Sequence, residues 1–252
     1  MKFRCYALCL LFLLFAGTAC NQGKPMSDID YSKYYSDPAE IELIKAIENG
    51  DAAAVKRLAS TGVNINAVGK YENTPLRTAL KIGKKEIVEL LLKMGVSPNF
   101  TTPKGAVPAF VALEHDNPDF LNMLLAHGLD VNLKEEGEPI VFAAMREGKW
   151  DQFKTLMNKG VDINSKTPDN TTIVQELVAL SQYDFAKVLI MRGADFTSTN
   201  NAGQTVLKIL VNYQTRLCAD PNHPACQKRA ELLRLLRERG VQVPAGLPGM
   251  GE

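Results

Sequence analysis

The chain has 252 residues, 46% of them apolar and 23% charged, which is the composition of a globular protein and not of a disordered or fibrous one. Lys and Arg total 29 against 28 Asp and Glu, a net charge of +1, so no positive field is available to hold a phosphate backbone and nucleic acid is excluded as a broad electrostatic partner. One Trp, 3 His and 5 Cys are few residues from which to build a catalytic or metal site.

At the start of the chain, Lys2 and Arg4 precede an apolar run from Cys5 to Ala16, which continues into Gly17-Thr18-Ala19-Cys20. A run of this length is too short for a hydrocarbon layer of about 30 Å, which takes about 20 helical residues, but it fits the apolar region of a secretory signal peptide. Small residues ending on a cysteine resemble the lipobox of bacterial lipoproteins, with Gly17 standing where that motif usually has Leu. The resemblance implies a signal peptide over 1–19, a lipid on Cys20, and a protein anchored in the bacterial envelope and facing the periplasm. Asn21 in place of Asp, by resemblance to enterobacterial lipoprotein sorting, implies the outer membrane. Loss of Lys2 and Arg4 leaves 27 basic against 28 acidic side chains, a net charge of −1. Residues 20–37 are polar apart from their tyrosines and carry no pattern, which predicts a tether extending at most about 60 Å.

Asp37-Pro38 forms a helix start, and Ile41, Leu43, Ile44 and Ile47 supply an apolar face. Beyond them a phrase recurs: Gly62-Val-Asn-Ile-Asn, Gly95-Val-Ser-Pro-Asn, Gly128-Leu-Asp-Val-Asn, Gly160-Val-Asp-Ile-Asn and Gly193-Ala-Asp-Phe-Thr, with glycines 33, 33, 32 and 33 residues apart. Apolar pairs precede the glycines, Leu91-Leu92, Leu124-Leu125, Leu156-Met157 and Leu189-Ile190. Upstream stand Thr74-Pro75-Leu76, Val107-Pro108-Ala109 and Glu138-Pro139-Ile140, then the weaker Thr172-Ile173-Val174 and Thr205-Val206-Leu207. A period of 33 with these phrases resembles the ankyrin repeat. The resemblance covers 38–243 and implies an all-α solenoid of helix-turn-helix units with hairpin connections, about six repeats.

Each part of the phrase has a physical task. Thr74 caps a helix whose first turn accepts Pro75, because the missing N–H has no partner there in any case. Ala79 and Ala112 let antiparallel helices approach. Ile87, Val88, Leu91 and Leu92 face inward at helical spacing, and the glycine ends the second helix in the left-handed conformation. These residues read as core and caps.

The glycine series then jumps from Gly193 to Gly240, which places an insertion at about 213–228, a resumed helix over 229–239 and a C-terminal tail over 244–252. The insertion holds Cys218, His223 and Cys226. Two readings stand: Cys218 and Cys226 paired as a disulfide, contributing about 2.6 kcal/mol by loop closure and stiffening a protruding loop, or all three residues as metal ligands lacking a fourth. Export to an oxidising compartment favours the disulfide.

No G-x-S-x-G, H-E-x-x-H or phosphate-cradling glycine loop occurs, and neither His115 nor His127 has a nucleophile at recognisable spacing. The chain reads as non-enzymatic, with no cofactor, metal or small-molecule substrate. By the ankyrin resemblance, another protein binds the concave face built from hairpin tips and first helices. Carried onto this chain, that face comprises Lys70, Tyr71, Asn73 and Lys81; Lys104 and His115; Glu135, Glu136 and Arg146; and Asp169, Asn201 and Tyr213. Tyr71 and Tyr213 lead the set, since exposed aromatics are common interface hot spots. Tethering, small size and the missing catalytic motif suggest an immunity protein that blocks a periplasm-acting toxin such as a phospholipase. The alternative is an envelope scaffold for stress-defence or assembly proteins.

Overall fold

In the computed structural model, residues 30–212 and 223–247 are described. They form six helix pairs: α1 (Pro38–Asn49) with α2 (Ala52–Ser60), α3 (Pro75–Lys81) with α4 (Lys85–Lys93), α5 (Pro108–Val111) with α6 (Asp119–Ala126), α7 (Ile140–Arg146) with α8 (Trp150–Asn158), α9 (Ile173–Ala179) with α10 (Tyr183–Met191), and α11 (Val206–Asn212) with α12 (Pro224–Glu238). First helices pack on first helices and second on second, so α3 lies between α1 and α5 while α4 lies between α2 and α6. The sequence predicts this all-α repeat architecture, and the structure has it.

Local chemistry sets each boundary. The Thr74 side chain accepts from Arg77 N at 3.1 Å with Pro75 in the first turn of α3. Thr172, part of a weaker phrase in the sequence, makes a full capping box: its hydroxyl accepts from Gln175 N while Gln175 Oε1 accepts from Thr172 N. Ala79, Ala112 and Ala144 are fully buried, as a close helix crossing requires. The apolar stripes join into one core that runs from Leu43 in α1 to Leu236 in α12.

Between helix pairs the backbone closes a tight turn at each repeat. Gly69 N donates to Asn73 O, Thr102 N to Ala106 O, Ile140 N to Leu133 O, Thr167 N to Thr171 O and Asn200 N to Gln204 O. Only the third of these lengthens into paired strands, β1 (Lys134–Glu135) and β2 (Glu138–Pro139), antiparallel with Glu135 opposite Glu138. A second ladder ties units two to five together. Asn99 Oδ1 accepts from Asp130 N at 2.7 Å, Asn132 Oδ1 from Asp162 N and Asn164 Oδ1 from Asp195 N, both at 2.8 Å. The asparagine that ends the second, third and fourth phrases is therefore a clip between repeats.

Two sequence expectations are corrected here. The end of the predicted tether is not free, because residues 31–33 form a turn of 3-10 helix and Tyr31 and Tyr35 are buried against the first units. Tyr35 lies against Gly69 so closely that a Cβ there would sit 2.5 Å from its ring. Its hydroxyl donates to Asn73 O, and Lys70 N donates to Tyr34 O. An aromatic residue in a polar stretch has enough apolar area to dock without helical periodicity. The second correction concerns the insertion, whose last residues are helical. His223 caps α12 by accepting from Ala225 N at 3.2 Å, Pro224 fills the first turn, and the helix starts five residues earlier than periodicity indicates. Cys226 is disulfide-bonded and fully buried in the first turn of α12, so this end of the bond lies in the core. Cys218 lies outside the described residues. Nearby, Arg229 is 1% exposed; its Nε donates to Leu210 O at 2.9 Å, and its Nη1 and Nη2 have no hydrogen-bond partner among the described residues.

Candidate functional site

Turn and first-helix residues of units three to five line an open cavity of about 490 Å³. Phe110 from α5, Ala143 and Arg146 from α7, and Pro168 from the following turn give it walls; Glu135, Glu136 and Glu138 from the β-hairpin and Glu147 at the end of α7 bring carboxylates. The hairpin lies close against its neighbour. Gly137 has φ +83° and its Cα stands so near Pro168 that a Cβ would meet Pro168 Cγ at 3.3 Å.

The acidic groups divide into two kinds. Glu135 Oε1 accepts from Val107 N at 2.8 Å and lies 3.7 Å from Arg77 Nη1, so it locks one unit to the next. Arg146 donates through Nη1 to Glu138 Oε2 at 2.6 Å and through Nε to Glu176 Oε1 at 3.1 Å, bridging its own hairpin to α9. Burial of Arg146 disfavours its charge, but the two carboxylates outweigh that and raise its pKa. Glu136, at the tip with φ +51°, and Glu147 are exposed and make no such pair among the described residues.

Several of the sequence-derived site residues are exposed. Tyr71 is 74% exposed, takes a left-handed conformation (φ 61°), and stands 6.1 Å from the Tyr34 ring with Lys70 Nζ 5.7 Å above it. Lys81 ends α3 exposed, and Lys104 is an exposed tip whose backbone N donates to Glu72 Oε2 at 3.0 Å. Asp169 takes hydroxyl bonds from Thr167 and Thr171, which hold its carboxyl below the usual range. Asn201 bonds Asn170 Nδ2 at 2.8 Å.

Other residues of that set serve the fold. His115 is half-buried, with Nε2 2.7 Å from Leu80 O and its ring 4.5 Å from Phe120, so it joins units two and three. Asn73 closes the first turn through its carbonyl, and Glu135 and Arg146 are committed as described above. Tyr213 and Cys20 lie outside the described residues. Phe110, Arg77 and Glu176 shape the site without a sequence signal, because a half-buried aromatic in a first helix reads as core until its neighbours are known. Among the described residues no cluster of three His, Cys, Asp or Glu is arranged to hold a metal, and no helix is long and apolar enough to cross a membrane.

A family model of ankyrin repeats (3 copies) matches residues 43–135 and 110–200. The transient receptor potential cation channel subfamily A member 1 of Drosophila melanogaster is 27% identical over 204 residues, covering 76% of this chain and 16% of the channel. Ankyrin repeat and SOCS box protein 6 of Homo sapiens is 25% identical over 141 residues, covering 52% of this chain and 34% of that protein. The chain thus spans about a third or less of these relatives. The crystal structure of the ankyrin repeat domain of Bcl-3 superposes with a TM-score of 0.61 at 22% identity, covering 84% of this chain and 90% of the other. With the helix pairs, the clips between them and the family model in agreement, the chain belongs to the ankyrin repeat family.

Proposed function

We propose that this ankyrin protein is a lipid-anchored, non-enzymatic component of the bacterial envelope that binds and blocks another protein, a toxin acting in the periplasm, through its hairpin and first-helix face. The observation that carries the reading is the cavity of about 490 Å³ on that face, whose walls are fixed by inter-unit bonds before any partner arrives. Such pre-organisation suits occlusion, since little ordering entropy is lost on docking. The anchor rests on the run from Cys5 to Ala16 and on Cys20, and the toxin on tethering combined with the lack of any catalytic motif.

Tagged protein purified from its native envelope should carry one stoichiometric protein partner, with hydrogen-exchange protection centred on the turns at 70–71, 104, 136 and 201. Protection confined to the second helices would overturn the face. Deletion of the gene should make cells sensitive to that partner. A partner that is instead a stress-defence or assembly protein, with sensitivity unchanged, replaces blocking by scaffolding. Cys20→Ser should release the protein from membranes, and continued membrane retention would sink the lipid anchor.

A further inference from the structure

We propose that the cavity between units three and five is a receptor for an arginine side chain presented by the partner. This deepens the reading of the hairpin face and rests on it. The charge inventory selects the ligand. Four carboxylates line the cavity against the single guanidinium of Arg146, and internal pairing consumes only part of that excess: Glu135 is spent on Val107 N and Arg77, and Glu138 shares Arg146 with Glu176. Glu136 on the hairpin and Glu147 at the end of α7 line the cavity as exposed side chains with no ion pair among the described residues. The apolar part of the lining, Phe110, Ala143 and Pro168, has no use for a bare ion but suits a long aliphatic stem.

A divalent metal does not fit, because no three of these side chains are arranged to ligate one. Arginine suits the site better than lysine. Its planar group can meet two carboxylates at once and stack on an aromatic face, and it gives up its water more easily. The near-neutral chain supplies no long-range field for the ligand, so recognition is confined to this depression and should weaken as salt screens its exposed rim.

The probe is N-acetyl-arginine-methylamide, titrated into isotope-labelled protein and followed by backbone amide NMR, beside its lysine and citrulline analogues. Saturable shifts at Phe110, Gly137, Ala143 and Glu147 are expected, strongest for arginine and lost with citrulline, which keeps the shape but not the charge. The Glu136→Gln/Glu147→Gln variant changes two exposed side chains and should keep the circular dichroism spectrum while binding the arginine probe roughly tenfold more weakly. Equal binding of citrulline, or an unaltered affinity in the variant, overturns the proposal. The same variant separates the two readings: a partner that still protects the hairpin turns and binds it undiminished leaves the face standing and removes the arginine receptor.

Discussion

Gly69 shows how a single position can control the start of the array. Its φ is −80°, so its backbone needs no glycine, yet the Tyr35 ring occupies the place of a side chain. Gly69→Ala should therefore lower stability by about 1–3 kcal/mol through overpacking. In a denaturant double-mutant cycle that loss should shrink when Tyr35 is shortened to Val; an undiminished loss would mean that the ring is not the obstacle. Tyr35 also sets an alkaline limit. Burial pushes its phenol up to about 12, and burial with the Glu48 carboxylate raises Tyr31 as well. Both folded values lie above the unfolded value near 10, so the folded state favours the protonated phenols. Their contribution is complete below pH 10 and is lost as pH rises toward 12. The Tyr31→Phe/Tyr35→Phe variant should start less stable at neutral pH and show a flatter decline across that window in pH-stepped urea unfolding. None of this was legible from composition, because a tyrosine in a polar stretch reads as tether until a glycine across the fold is seen to receive it.

Among the elements, the helices were legible and the clips between them were not. Thr74-Pro75 and the apolar pairs before each glycine announce helix starts and inner faces through local chemistry alone. The asparagines at 99, 132 and 164 repeat just as regularly, but their purpose depends on a backbone amide about 30 residues away, which periodicity cannot disclose. Asn99→Ala removes two such bonds, the one from Asp130 N and the one donated from Nδ2 to Gly128 O at 2.8 Å. It should reduce stability by about 1–2 kcal/mol, and hydrogen exchange should speed up first around Gly128 and Asp130. A uniform increase along the whole chain would instead point to global destabilisation unconnected with the clip. The binding face was legible only as a set of addresses. His115, Glu135 and Arg146 occupy the expected positions, but each is consumed by a neighbouring unit, and only counting the internal pairs separates these from the carboxylates left over, Glu136 of the expected set and Glu147.

At the scale of the whole molecule, each unit leans on the next, so damage at one end should remain near that end. The disulfide at Cys226 is buried in the first turn of α12. Dithiothreitol should therefore accelerate exchange in α12 and α11 while the amides of α3 to α8 keep their protection. Simultaneous loss of protection in every unit would show the array to be one cooperative block. The docked segment at the other end has a consequence for where such an array can work. With Tyr31 and Tyr35 fixed to the first units, and under the proposed anchor at Cys20, only the ten residues 20–29 separate lipid from folded protein. Their contour is at most about 33–36 Å, roughly half of what an unstructured segment up to residue 37 would allow. The first unit then becomes a foot held near the bilayer, and the turn displaying Tyr71 is the rung of the ladder nearest the lipid. A partner too bulky for that narrow headroom could approach only from the far end, so membrane distance itself would sort which proteins reach the array.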